Sequence, residues 1–377
     1  GLLLFVVFGI KAAMLPLGFW LPKTYAVAAT PVAAFFTIMT KVGVYAILRV
    51  NGTVFDDALS QSILAPWLLT IGLTTSLYGA IAALGAERLR RFVGFMILSS
   101  VGTILVAIAL IDPQAWAGAL YYMVHSTLIA AALYLMSGWI TSQRGEFKDH
   151  LKVAPQMKQH KTAAICFLIM ALMMAGLPPF SGFLGKVFIL QATSGHAYQA
   201  WIMSSILVVS LISIIGFTRV GFILFWRATK PEDDVNSEAY AAYQALPTLA
   251  PPRNDKAIYI LLVLLIAYMV GAAPIQRYMQ STALQSQNNP LYEQVILKRD
   301  SDHNVISVQP YDPKNLPETK YGGEKVDPNA HLIPYVISSN TLQGEHISEF
   351  KQRQMLNQEQ QLNDPQGDKL QPKQEGY

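Results

Sequence analysis

The sequence predicts an all-α polytopic membrane protein in which two of the helices are broken, and three observations carry this. Of the 377 residues 52% are hydrophobic, and the mean hydropathy is +0.32. The apolar residues come in long blocks: a bilayer core of ~30 Å needs ~20 apolar residues per helix, and about eight such blocks lie between Leu2 and Ile275. The third observation is the stretch AGLPPFSGFLGKVFIL, Ala175 to Leu190, where a proline pair interrupts a membrane-grade run and a lysine follows. Proline removes a backbone donor and clashes with the preceding turn, and in hydrocarbon the freed groups must be satisfied by protein or water. A lysine near the bilayer centre costs ~2.5–3.5 kcal/mol on insertion scales and usually marks function.

Taken in order, the first block runs to about Pro22, with Lys11 inside it and Pro16 predicting a break. The chain opens on Gly1 within this block, without the basic leader and cleavage site of a signal peptide, and reads as a polypeptide whose earlier helices are missing. The second block starts at Pro31, a good first-turn residue, and ends near Val50 with Lys41 midway. The third covers Pro66 to Ala86 and is followed by ERLRR, Glu87 to Arg91; the fourth, Phe92 to Ile111, carries Ser99, Ser100 and Thr103. The fifth, Ala115 to Thr141, contains His125. The sixth, Thr162 to Thr193, is too long for one straight span and is interrupted at Pro178 and Pro179. The seventh runs from Trp201 to Trp226 with Arg219 in its later half, and the eighth from Ala257 to about Ile275.

Formal charge is +4 and the pI about 8.9, but in a membrane protein the placement of charge says more. ERLRR, the loop Gln143 to Lys161 with Arg144, Lys148, Lys152, Lys158 and Lys161, and the loop Arg227 to Lys256 alternate with loops that lack basic residues near Asn51, Asp112 and Ser194. The three basic loops are therefore expected in the cytoplasm. The first block then runs from outside to inside, the sixth from inside to outside, and the C-terminal tail lies on the outer side. That tail, residues 280–377, is too polar to bury a core; a weak apolar stripe (Ile347, Phe350, Met355, Leu356) allows a short helix near Glu345 to Gln361.

AMLPLGFWL at Ala13 to Leu21 resembles AGLPPFSGFL at Ala175 to Leu184, with the Leu-Pro pairs 162 residues and five helices apart. An odd number of helices makes the two copies cross in opposite directions. Inverted repeats with interrupted helices, and sites near the midplane, are a recurring transporter design.

Four ionisable residues lie inside apolar blocks: Lys11, Lys41, His125 and Lys186. A lysine near a helix end can snorkel to the interface, and Lys186, seven residues from Thr193, allows that reading. Lys41 does not, since it sits ~15 Å from either end at 1.5 Å per residue, and Lys11 is similar. His125 could be a core histidine bonded to Tyr121 or Ser126. Together, however, these bases have no Asp or Glu inside any block to pair with, and such groups exchange protons near neutral pH. A row of them joined by water and hydroxyls is a membrane proton relay; Lys11 would need a carboxylate from the missing part. Arg219 reads as an end anchor, Ser99, Ser100 and Ser126 as helix-packing residues. Trp20, Trp67, Trp139, Trp201 and Trp226 read as interfacial anchors. The single cysteine, Cys166, excludes a chain-borne iron–sulfur cluster. No Walker-type loop, HExxH, GxGxxG or serine elbow is present, so no cofactor or metal site, no hydrolysis and no nucleic-acid partner is expected.

FGIKAAMLPLGFWLP, TPVAAFFTIMTKVGVYAILRV, YYMVHSTLIAAALYL and AGLPPFSGFLGKVFIL resemble the antiporter-like subunits shared by multisubunit cation/proton antiporters and respiratory complex I. The wording KVGVYAILRV and GLPPFSGFLGK is similar to the D subunits of Mrp/Pha-type antiporters rather than to the complex I versions. The resemblance covers Gly1 to about Met279 and implies the last eight of fourteen helices. Residues 1–50 then end a first five-helix repeat, 65–228 form the second, 229–256 a cytoplasmic loop and 257–279 the last helix. It also implies that Lys11, Lys41, His125 and Lys186 form the proton path, with Lys186 near the outer exit, and that a glutamate of the absent helices pairs with Lys11. The expected function is proton translocation in a multisubunit Na+(K+)/H+ antiporter of a bacterial inner membrane, a secondary transporter with other membrane subunits, the lipid bilayer, protons and Na+ or K+ as partners. The alternatives are a proton-pumping subunit of a complex I-like oxidoreductase, or a membrane scaffold with relic cations.

Overall fold

The computed structural model describes residues 2–53, 58–228 and 255–287, with residues 241, 244 and 246 between them. The rest of the loop expected at 229–256, and the tail beyond residue 287 with its candidate helix at Glu345 to Gln361, lie outside the described residues. The described elements are helices: α1 (Leu2–Ala12), α2 (Trp20–Val27), α3 (Thr30–Thr53), α4 (Ala58–Leu84), α5 (Leu89–Ala109), α6 (Pro113–Gln143), α7 (His160–Ala175), α8 (Ser181–Gln191), α9 (Gln199–Gly221, continued by a π turn Phe222–Trp226), α10 (Asp255–Val270) and α11 (Ala272–Ser286).

Five of these are long and apolar enough to cross a bilayer: Thr30–Gly52, Ile63–Leu84, Leu89–Ala109, Pro113–Gln143 and Gln199–Trp226. A sixth span is reached if α10 and α11, bent by 78° at Gly271, count as one. The first and sixth expected segments are each divided into two short helices, α1 with α2 and α7 with α8. Three differences from the expected boundaries bear on the packing. Pro66 sits inside α4 rather than opening it, as neighbouring groups in a bundle allow. The eighth segment bends at Gly271 although its apolar run continues, and its second half packs across α6. Helix α6 starts two residues early because Pro113 takes its first position and the Asp112 carboxylate accepts from the Ala115 amide at 2.9 Å, a cap that satisfies an otherwise orphan donor.

Every residue of α5 except Arg90 and Arg91 is buried, as befits a helix apolar all round. It packs on α2, α4, α6 and α9. Its contact with α4 rests on small residues: a Cβ on Gly102 would stand 2.6 Å from the Gly72 carbonyl, and one on Gly72 2.8 Å from the Val106 nitrogen. Without a hydrophobic drive between helices in lipid, such close backbone approach supplies the association. Helix α9 shows the opposite pattern, with Leu207, Leu211 and Ile215 exposed in one stripe.

At the end of α6 one expected surface charge is a core element. Arg144 is 1% exposed and donates to the carbonyls of Lys148, His150 and Lys152 at 3.2, 2.6 and 2.7 Å. Burial pushes its guanidinium down to about 10, against the pull of Asp149, so it stays charged at neutral pH. The loop it gathers pairs with the α4–α5 connection, Leu89 donating to the Asp149 carbonyl and Leu151 to the Glu87 carbonyl, both at 2.8 Å. Trp139 is also buried, 3% exposed, its Nε1 donating to Gln159 Oε1 at 3.1 Å; it is a loop clamp rather than an interfacial anchor.

Replacing Arg144 by Met strands three carbonyls, each worth ~1–3 kcal/mol when left buried and unpaired. The detergent-solubilised protein should lose about 3 kcal/mol, read as an earlier loss of the monodisperse chromatographic peak on heating; an unmoved transition would show that the carbonyls find other partners. Gly102→Val should cost about 1–3 kcal/mol by overpacking in the same assay. Gly85→Val, where the nearest atom to a Cβ is 3.7 Å away, should cost clearly less.

Candidate functional site of buried bases at a helix break

Both broken helices stop in the same way. Helix α7 ends at Ala175, Gly176 follows with φ +81°, and the amides of Gly176 and Leu177 both return to the Leu172 carbonyl, at 3.2 and 3.1 Å. Helix α1 ends at Ala12, Ala13 follows with φ +60°, and the Met14 amide returns to the Gly9 carbonyl at 3.1 Å. A left-handed residue with a bond five residues back is the Schellman pattern; Ala13 holds it at a cost of roughly 1–2 kcal/mol that glycine avoids. The two left-handed residues are 163 positions apart, one more than the Leu-Pro pairs suggest. In this register Pro16 matches Pro179, Leu21 matches Leu184, and Lys23, not Lys11, matches Lys186.

Lys186 is 5% exposed, and its ammonium turns back to the break instead of out along α8. It donates to the Ala175 carbonyl at 2.8 Å and to Ser210 Oγ, on α9, at 2.9 Å. The C-terminal end of α7 thus receives a cation where its carbonyls leave partial negative charge. Gly176 makes the approach possible, since a Cβ there would lie 2.9 Å from the ammonium nitrogen.

Lys41, 4% exposed on α3, donates to Ser100 Oγ on α5 at 2.7 Å. Ser100 donates in turn to the Ile97 carbonyl at 2.7 Å, and Ser210 to the Ile206 carbonyl at 2.8 Å. With their own protons committed to the helix, both hydroxyls are fixed as acceptors for an ammonium.

His125, on α6, is fully buried. Its Nδ1 is 2.9 Å from Ser181 Oγ, the first residue of α8, and its ring stacks on Tyr122 with centroids 5.9 Å apart. Neither Tyr121 nor Ser126 is its partner; Ser126 donates to the Met123 carbonyl. The other ring nitrogen, Nε2, makes no hydrogen bond of good geometry and faces the Gly182 backbone, where a Cβ would stand 2.7 Å from it and collide with the Met173 carbonyl. The histidine therefore lies between the end of α7 and the start of α8. Helix α6 packs on both α3 and α8, so the structure gathers Lys41, His125 and Lys186 in one core.

Lys11 is not gathered with them: its side chain, in the last turn of α1, is exposed, though its backbone packs against Gly43. Arg219 donates to the Ala86 carbonyl at 3.3 Å, an end-anchoring contact. Ser99 packs closely on Gly79, whereas Ser100 belongs to the site. Ser181 and Ser210 escape a reading of the sequence because a hydroxyl in an apolar run carries no periodic signal. Lys23, exposed on α2, is visible in the 163-residue register.

A family model described as NADH:quinone oxidoreductase/Mrp antiporter, transmembrane, matches residues 1–213. The chain is 32% identical over 308 residues to a probable K(+)/H(+) antiporter D subunit of Rhizobium meliloti, covering 74% of this chain and 54% of that one. It is 32% identical over 302 residues to the Na(+)/H(+) antiporter D subunit of Bacillus subtilis, covering 79% and 58%. The chain thus spans somewhat over half the length of these relatives. Among solved structures, a chain of the Mrp complex from Dietzia sp. superposes with a TM-score of 0.64 at 26% identity, covering 78% of this chain and 60% of that one. A chain of respiratory complex I from Thermus thermophilus shares the fold at a TM-score of 0.62 and 21% identity, covering 76% and 58%. With more than half its residues matched and the broken-helix bundle in place, this all-helical, multi-pass membrane protein belongs to the NADH:quinone oxidoreductase/Mrp antiporter transmembrane family.

Proposed function

We propose that the chain is the proton-translocating part of a multisubunit monovalent cation/proton antiporter in a bacterial inner membrane, working with other membrane subunits and exchanging H+ for Na+ or K+. The observation that carries this is the set of three buried bases, Lys41, His125 and Lys186, each on a serine hydroxyl, in a bundle where α1 to α9 contain no Asp or Glu. Bases without counter-ions load and unload protons instead of forming permanent ion pairs. The antiporter names of the relatives at 32% identity favour this reading over a complex I-like one, which the shared family model also accommodates but for which the solved complex I chain is only 21% identical.

In this reading α1 with α2, and α7 with α8, are each one broken span, so that the chain crosses the bilayer eight times. The shared cap at a spacing of 163 residues supports an inverted repeat. Residues 1–50 close a first half and 65–228 form a second, followed by the loop 229–256, the last span from residue 257 and an outer tail. The basic loops face the cytoplasm, which puts Lys186 toward the outer side. A proton enters at Lys41, passes to His125 and leaves through Lys186. Lys11 serves the path from its exposed position at the end of α1.

Lys41→Ala or Lys186→Ala in the assembled complex should abolish cation-driven pH change in vesicles, a loss of tenfold or more, with assembly intact by pull-down; unaltered exchange would sink the relay. Gly182→Ala places a methyl against His125 Nε2 and the Met173 carbonyl. It should lower exchange several-fold at normal expression, and a variant as active as the wild type would remove His125 from the path.

A further inference from the structure

Helices α7 and α9 leave between them an apolar groove of about 520 Å³ that the proposed proton path does not use. Its walls include Ile165, Leu168 and Leu172 of α7 and Ile214, Phe217 and Phe222 of α9, and its lining holds no acidic side chain. Small residues open it: Ala164, Ala171 and Gly221 line it, and a Cβ on Gly221 would already touch the Phe167 ring at 3.4 Å. The floor is rigid, because Phe167 packs on both Phe217 and Phe225 with centroids 6.1 and 5.4 Å apart.

The two ends differ. One end lies where α7 begins and α9 finishes, as the ring contact of His160 with Phe225 at 5.7 Å shows. There the π turn, in which the Arg227 amide bonds back to the Phe222 carbonyl at 2.9 Å, shifts the register so that Trp226, 82% exposed, joins the lining. Exposed Arg227 follows it, and exposed Lys161 stands one turn before Ala164 on the same face of α7. The other end stops at Ala175 and Leu177, beside the helix break. From Ala164 to Ala175 the groove runs roughly 16 Å along α7, about half of the ~30 Å hydrocarbon thickness. That is the depth filled by one acyl chain of one leaflet, and a basic, tryptophan-marked mouth at the interface suits an anionic headgroup.

We propose that this groove is a binding site for an anionic phospholipid, one acyl chain lying between α7 and α9 with its headgroup at Lys161 and Arg227. The chain end then covers the break on the bilayer side, behind the Ala175 carbonyl that holds Lys186. The inference stands on the groove and its mouth and does not depend on the relay.

The test is lipid mass spectrometry of the intact complex purified in mild detergent. The native complex should retain phosphatidylglycerol or cardiolipin enriched several-fold over the membrane extract. Lys161→Glu with Arg227→Glu should erase that enrichment, and Thr218→Trp, which fills the groove from its exposed rim, should remove about one lipid per complex. Equal retention of zwitterionic and anionic lipid, or retention unchanged in both variants, would overturn the site. Should a variant assemble poorly, a photoreactive residue at position 218 of the otherwise native chain decides: a phospholipid adduct supports the proposal, and a crosslink to a companion protein of the complex overturns it.

Discussion

An ammonium group inside an apolar bundle, with no carboxylate on the surrounding helices, has to be satisfied by dipoles. Lys186 is where the structure does this most fully. Placing a lysine at mid-membrane costs ~2.5–3.5 kcal/mol on insertion scales. Against this stand two charge-assisted hydrogen bonds of ~1.5–3 kcal/mol each and a helix C-terminus worth up to ~2 kcal/mol when partly buried. These interactions are large enough to offset the cost of placing the ammonium there. Lys41 has a single hydroxyl, Ser100, and no helix end, so the surroundings compensate the two lysines unequally.

The break that serves Lys186 also serves His125. Interrupting a helix exposes carbonyls on one side and amides on the other, and the two bases sit at these two faces of the same gap. Lys186 takes the carbonyl of Ala175, while His125 has Ser181, at the first turn of α8, on one nitrogen and the Met173 side of α7 by the other. Two glycines make this possible in different ways. Gly176 supplies the left-handed turn and the room for the ammonium; Gly182 supplies clearance for the imidazole.

The long apolar helices, both breaks and three of the four bases are legible in the sequence because each rests on a strong local signal: apolar length, proline chemistry, and a basic residue where none is free of cost; Lys11, read in the same way, is exposed. What is not legible depends on partners. Nothing in the apolar run of α5 marks Ser100 as a ligand and Ser99 as packing, since the two are adjacent and chemically alike; only the position of α3 separates them. Arg144 reads as one more loop charge until three carbonyls close on it, and Trp139 as an anchor until Gln159 meets it. The Leu-Pro pairs put the register of the two breaks one residue off, because the backbone is set by the left-handed residues before them.

The three bases stand on α3, α6 and α8, and their serines on α5, α8 and α9; no hydrogen bond among the described residues joins one base to another. In the proposed relay, transfer between them needs something that can turn. Ser100 and Ser210 cannot, because each spends its proton on its own helix and offers only an acceptor. Ser181 makes no such bond among the described residues, so its hydroxyl can donate to His125 Nδ1 or accept from it as the tautomer changes. In the relay proposed above, the step at His125 is therefore the one with both hydrogen-bond orientations available, and it lies at the α7–α8 break rather than at either lysine.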